Sequence, residues 1–411
     1  MPQEQKSAAK ETRQLIADTV GSYSQIKAWS GGGSQEKDRY ASNLAAGGVT
    51  LQWVRGDASR AERSFHTINT EQTPIGDLEV RLIRDRRCPN VMATRALIQA
   101  GTGQYSTSSL PEQAKAQIKK LASDIYGDLF MPPLEDPIKT LDLPVAGRSY
   151  SSDSVKLILD LVEFPNGESD PKALRKKRVS DILSPTMPQD VHVPPDQADG
   201  VLTTEFLKKV RKASSRIAGT KSESLGLHPA VYFYTATGSY QPTAFLAAIS
   251  FVMDMEQKNE LVKFVKIRRD FEDLILKHKY FINQIVTHYG SGHRSLGALT
   301  KLFRYFFDGV ISNRPEDIIV PKIVEQERME FLKPIVDSDK GTKKDFTSER
   351  KSAVYLRQAI NTAAKCGVCG ARVHVRSMSI DHIQTKHAGG VATVDNGQLS
   401  HPFCNLVKDQ L

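Results

Sequence analysis

Apolar residues recur every three or four positions, with charge between them, along ELVKFVKIRRDFEDLILKHKYFINQIV (260–286). That period marks amphipathic helices. Two further helices are expected at 111–130 and 151–164, joined by the proline-bearing connector MPPLEDPIKTLDLPVAGR. In SFHTINTEQTPIGDLEVRLIRDR (64–86), a turn leads into a helix that starts after Thr73 or Pro74, where a hydroxyl cap and a first-turn proline both fit. FTSERKSAVYLRQAINTAAK (346–365) opens at Thr347 with a capping-box pattern in which Arg350 replaces the acid, and it runs directly into Cys366. Strand-like alternation shows at ARVHVRSMSIDHI, residues 371–383. No internal repeat of fixed period is apparent.

Between these elements the pattern breaks. Residues 1–60 are polar and contain the link SGGG at 30–33, and residues 166–200 are rich in proline and charge. Within that second stretch the basic run KALRKKR reads as a solvated face. The expected organisation is a partly flexible N-terminus (1–60), a region at 61–165, a linker (166–200), a helical domain (201–335) and a C-terminal module (345–411). With 411 residues, 39% of them hydrophobic, the chain can bury a substantial core. The most apolar window, PTAFLAAISFVMDM at 242–255, is too short to span a bilayer and carries an acid. No secretory signal is visible, so a soluble cytoplasmic protein without a membrane partner is expected. The net charge of +9 is modest for this length. It concentrates somewhat at the end, where residues 341–411 hold ten Lys or Arg against five acids.

Chemistry also gathers there. Of four cysteines, Cys88 stands alone among charges, while Cys366, Cys369 and Cys404 crowd the last tenth of the chain. CGVCG puts Cys366 and Cys369 two residues apart in a turn that glycines permit, and HPFCN repeats the gap with His401 and Cys404. Four soft ligands in two such pairs suit tetrahedral zinc better than disulfides in a cytoplasmic protein. His278, His288 and His293 have no ligand-like spacing.

Between the pairs lie Asp381-His382, a glycine-rich loop with Asn396, and a short helix carrying Asn405. This order resembles the zinc-containing HNH endonucleases: CxxC, then DHI, GG, N, and a second ligand pair followed by N. Two positions depart from that pattern, His401 for a cysteine and Asn405 at the last H of the name, and both keep the chemistry. The resemblance implies an α+β protein with mainly helical N-terminal and middle regions and a small ββα-metal module. It implies His382 as general base, Asn396 orienting the histidine loop, Asp381 and Asn405 holding Mg2+ or Mn2+, and Cys366, Cys369, His401 and Cys404 holding structural Zn2+. DNA is the implied partner, with Arg372 and Arg376 on the strand leading into Asp381, and Lys386 in the loop, as phosphate contacts. His374 and His387 are bystanders in this reading, His387 lying within reach of phosphate. Adjacent residues on a strand face opposite sides, so Asp381 and His382 can cooperate only where the strand ends. A non-catalytic zinc-stapled subunit, one that binds nucleic acid without cutting it or one that serves assembly through its helical block, is the alternative.

A second likeness covers more of the chain. AERSFHTINTEQTPIGDLEVRLIRDR and the stretches at 139–162 and 224–249 resemble GmrSD-type restriction proteins, which carry a ParB-like N-terminal domain and include members ending in an HNH nuclease. That likeness implies a role in restriction or phage defence. The family's D-G-Q-Q-R segment is missing, so the chain looks N-terminally shortened, as a truncated product or one half of a split system. A separate ParB-like subunit, or self-association, follows as an expectation. Phe65 and Asn69 read as a core aromatic and a turn residue more readily than as the lining of a remnant pocket.

Overall fold

A computed structural model describes residues 76–101, 110–149, 152–166, 199–326, 329–333 and 345–411, with scattered positions before residue 43. Thr73, Pro74, Phe65, Asn69 and nearly all of the 166–200 stretch lie outside the described residues. The chain divides into two compact units, Met1–Gly76 and Asp77–Leu411, and every element below belongs to the second.

The helices are α1 (Asp77–Arg84), α2 (Pro89–Ala100), α3 (Glu112–Phe130), α4 (Ser152–Glu163), α5 (Val201–Ile217), α6 (Pro229–Tyr232), α7 (Pro242–Gln257), α8 (Leu261–Lys277), α9 (Tyr280–Tyr289), α10 (His293–Ile311), α11 (Glu316–Gln326) and α12 (Ser348–Thr362). Strands β1 (Ser379–His382) and β2 (Gly397–Ser400) and a last helix, α13 (Pro402–Val407), complete an α+β protein that is mostly helical. The apolar run at 260–286 thus makes two helices, broken at His278. At the start of α12 the Thr347 side chain accepts the Arg350 amide at 3.3 Å, so the cap forms without the acid of the full box.

Helix α5 packs on α2 and α3, while α7 packs on α10 and α10 on α8. Rings fill the second group: Phe251 of α7 lies 5.6 Å from Phe271 and 6.3 Å from Phe264 on α8, and 6.0 Å from both Phe303 and Phe307 on α10. Interlocking aromatics at these spacings bury large areas and fix the helix crossings. The core does not stop at the expected boundary near 345. Leu356, Cys366, Val373, Phe403 and Val407 join the same buried cluster as Leu97, Leu207 and Phe251. The described residues of 77–411 therefore share one interior, and the C-terminal module is built onto the helices.

The docking is polar as well. Arg268 of α8, fully buried, donates to Glu272 Oε1 at 2.8 Å, to Leu225 O at 2.5 Å and to Gly226 O at 3.1 Å. The Glu272 pair is matched at zero exposure, and Tyr232 adds its hydroxyl to Glu272 Oε1 at 3.1 Å. The pinned loop then meets the module. Gly226 has φ +55°, and a Cβ there would stand 2.8 Å from the Ser377 Cβ and 3.5 Å from His401, so only glycine fits. The Phe403 amide donates to Ser224 O at 2.9 Å, and the Gly219 amide to Ser377 Oγ at 2.9 Å.

Candidate active site

The metal centre follows from two turns. The CGVCG turn folds back on itself, with the Gly370 amide donating to Cys366 O at 2.9 Å and Gly370 at φ +71°. His401 stands at the cap of α13 and Cys404 on its first turn, so one short helix presents both ligands of the second pair. The four ligand atoms all lie within 4.8 Å of one another. His401 Nδ1 is 3.4 Å from Cys369 Sγ and 3.6 Å from Cys404 Sγ. A tetrahedron with Zn–S near 2.3 Å and Zn–N near 2.0 Å has S···N edges of about 3.5 Å. The geometry fits zinc.

The surroundings fit too. His401 Nε2 donates to the Arg372 carbonyl at 2.9 Å, so the proton sits on that nitrogen and Nδ1 turns its lone pair to the thiols. Burial holds the His401 pKa below its usual value, with Arg268's charge adding to the effect, so the imidazole is neutral as a ligand must be. Three thiols this close cannot all ionise alone. Hydrogen bonds from Cys369 and Cys404 pull Cys366 far below the ordinary thiol range, while the bond to Cys366 pushes Cys369 up to about 12 and the bonds to Cys366 and Cys369 push Cys404 higher still. A cation removes that conflict, and the Arg268 guanidinium beneath also favours the thiolates.

Beside this centre lies the hairpin. Strands β1 and β2 pair antiparallel with Asp381 opposite Gln398 and His382 opposite Gly397. Strand β1 ends at His382. By alternation Ser379 and Asp381 face α13, while Ile380 and His382 face outward. The strand is shorter than the pattern at 371–383 suggests. Residues 375–377 turn instead, with the Ser377 amide donating to His374 O at 2.9 Å, and just before them the Arg372 amide donates to Glu272 Oε2 of α8 at 3.3 Å.

Each candidate residue has a definite place. Asp381 is 2% exposed. Its Oδ1 is 2.5 Å from the Lys408 ammonium and its Oδ2 accepts from Gln398 Nε2 at 3.0 Å. Asn405, on α13, donates from Nδ2 to Ser379 Oγ at 2.9 Å and to Ile380 O at 3.3 Å, leaving Oδ1 as its acceptor. Asp381 and Asn405 thus share the α13 side of β1, and a carboxylate oxygen with an amide oxygen is a donor set suited to a hard divalent cation. The His382 ring is partly exposed at the strand end.

Asn396 ties the loop after His382 together. Its Oδ1 accepts the Gln384 amide at 2.7 Å, its Nδ2 donates to Gln384 O at 3.2 Å and Val391 O at 2.8 Å, and its carbonyl accepts the Ile383 amide at 2.9 Å. Gly390 lies so close that a Cβ would stand 2.0 Å from Gln384 O, which accounts for the second glycine of the pair.

The cationic candidates separate. Lys386 is exposed in a one-turn helix at Lys386–Ala388, and His387 is exposed beside it. Arg372 and Arg376 are not on a strand leading into Asp381, because β1 begins only at Ser379. Arg372 pairs with Asp273 of α8 at 2.8 Å and Arg376 with Asp142 of the connector at 2.9 Å, so both fasten the module to the body. His374 is 1% exposed, 3.4 Å from Asp142 and edge-on to His228 at 5.6 Å, a packing position that spacing alone does not reveal. Lys408 and Gln398, which hold Asp381, also went unread in the sequence. The available signal was that Lys408 follows Asn405 by three residues, one helical turn along the same face.

No described helix is long and apolar enough to cross a membrane. No curated protein and no solved structure matches the chain, and the likeness of its earlier regions to GmrSD-type proteins is not supported. Residues 366–410, which span both ligand pairs, the hairpin and α13, match the family model of the HNH endonucleases.

Proposed function

We propose that the protein is a metal-dependent endonuclease that hydrolyses phosphodiester bonds of DNA, with His382 as general base. The observation that carries this reading is the partly exposed imidazole of His382 at the end of a strand whose other side bears Asp381 and Asn405. His382 takes a proton from the attacking water as that oxygen bonds to phosphorus, and the bond from phosphorus to the leaving sugar oxygen breaks. An imidazole does this near neutral pH. Asp381 and Asn405 are the oxygen ligands for Mg2+ or Mn2+, which when bound supplies counter-charge for the phosphate and leaving oxygen. Asn396 holds the loop that continues from His382, and exposed Lys386 is the phosphate contact. Cys366, Cys369, His401 and Cys404 hold a structural zinc that fixes α13, and so Asn405, against the hairpin.

A role in restriction or phage defence, with a separate ParB-like subunit or a second copy as partner, rests only on the likeness of the stretches at 61–86, 139–162 and 224–249 to GmrSD-type proteins. A non-catalytic binding module is the second reading, favoured by the Lys408 ammonium on the Asp381 carboxylate. Plasmid nicking separates the two. His382→Ala removes no zinc ligand and little core, so zinc content and the thermal transition should persist while Mg2+-dependent nicking falls by roughly a hundredfold or more, the usual cost of losing a general base. Equal nicking by His382→Ala and the wild type would end the nuclease assignment at this site.

A further inference from the structure

Lys408 stands on the carboxylate that the proposed function reads as a metal ligand. Its ammonium lies 2.5 Å from Asp381 Oδ1 and donates to the His382 carbonyl, and so bridges both residues of the Asp-His pair. The Asp381 side chain is 2% exposed and that of Lys408 17%. A carboxylate buried to that degree is costly unless paired, and the lysine pairs with Asp381 in its inward-facing position. Gln398 fills the other oxygen. A divalent ion on Asp381 Oδ1 would share a single anion with the ammonium, and two cations that close repel. One must give way. Lys408 follows the end of α13 and carries a flexible four-carbon stem, so its ammonium can turn to solvent while Asp381 and Asn405 keep their places.

We propose that Lys408 is the resident cation of the candidate metal site, a positioning residue that holds Asp381 ready while the site is unloaded and sets the divalent-ion concentration at which it loads. This inference rests on the reading of Asp381 and Asn405 as metal ligands. It predicts a nuclease with a high threshold for its ion, lowered when the lysine is removed.

The test reads metal binding directly. Mn2+ is titrated into the zinc-replete full chain at fixed pH and low salt, and bound ion is followed by loss of the free Mn2+ electron paramagnetic resonance signal. Lys408→Met, which keeps the stem without the charge, should bind Mn2+ more tightly than wild type by about tenfold or more, the scale on which a neighbouring charge shifts the cation affinity of a carboxylate. Lys408→Gln should behave likewise, and adding Asp381→Asn to either variant should abolish the tight site. Zinc content and thermal melting accompany each sample. Folded, zinc-bearing variants that bind Mn2+ no more tightly than wild type would overturn the proposal. Loss of zinc or of the fold in both variants would overturn it too, by showing a structural ion pair. If wild type nicks plasmid and His382→Ala does not, those results leave the nuclease reading standing. If neither wild type nor Lys408→Met binds Mn2+ or nicks DNA, the nuclease reading itself falls, and the proposal with it.

Discussion

Lys279 shows how much a single side chain can ask of this fold. It is 5% exposed, and its ammonium donates to the carbonyls of Ala230 and Val231 in the short helix α6. Among the described residues no carboxylate shares these bonds. Burial lowers its pKa from 10.5 to about 7, with the charge of Arg372 adding to the effect. Between those two values the unfolded chain holds the proton more firmly than the folded one. Stability from this group therefore rises with pH from about 7 towards 10.5, and the cost of burying the charge is greatest below that window. Lys279→Met should then gain stability relative to wild type at pH 6.5 and lose that advantage by pH 9.5. Chemical denaturation of both proteins at the two pH values checks it. A stability difference that does not change with pH would show that the lysine stays charged in the folded state across that range.

At the scale of elements, periodicity disclosed α3, α4, α8, α9 and α12 because each carries an apolar face over several turns. It overstated β1, where the residues before Ser379 alternate but are drawn aside by contacts with α8 and the connector. Those contacts join Arg372 to Asp273 and Arg376 to Asp142, positions far apart in sequence, and no local pattern signals them. The site divided in the same way. Spacing picked out Cys366, Cys369, His401 and Cys404, which the fold does bring together, and the HNH resemblance pointed to the glycines and Asn396, since all lie within one short segment. Lys408 and Arg268 escaped notice, since an isolated lysine or arginine in a helical pattern looks like a solvated face. Arg268 is in fact the residue on which the seam between α8 and the metal centre depends. Replacing it with Met would leave Glu272 buried without its charge partner, and breaking a buried pair in this way costs about 3–5 kcal/mol. We expect Arg268→Met to lower the unfolding free energy by that order and to weaken zinc retention against chelators, whereas Arg269→Met, at an exposed neighbour, should do neither. Denaturant melts paired with zinc release to a chromogenic chelator measure both effects.

For the whole molecule, the shared core changes how DNA binding should be partitioned. The module carries an excess of basic residues, but two of its arginines are paired to the body, so formal charge overstates the cations free to meet phosphate. Each phosphate contact releases counterions, and the slope of log affinity against log salt falls by about one for every contact removed. Lys386→Gln should therefore reduce that slope by about one on duplex DNA while leaving melting unchanged, because the side chain is exposed and outside the core. Arg376→Gln should do the reverse. Its loss leaves Asp142 with His374 as its remaining partner on the module and loosens the connector, so melting falls while the salt slope stays close to that of the wild type. Fluorescence anisotropy over a salt series, with thermal melts on the same samples, distinguishes the two. A large slope change in Arg376→Gln would mean that its pairing with Asp142 opens when DNA binds, and that the seam between module and body forms part of the DNA-binding surface.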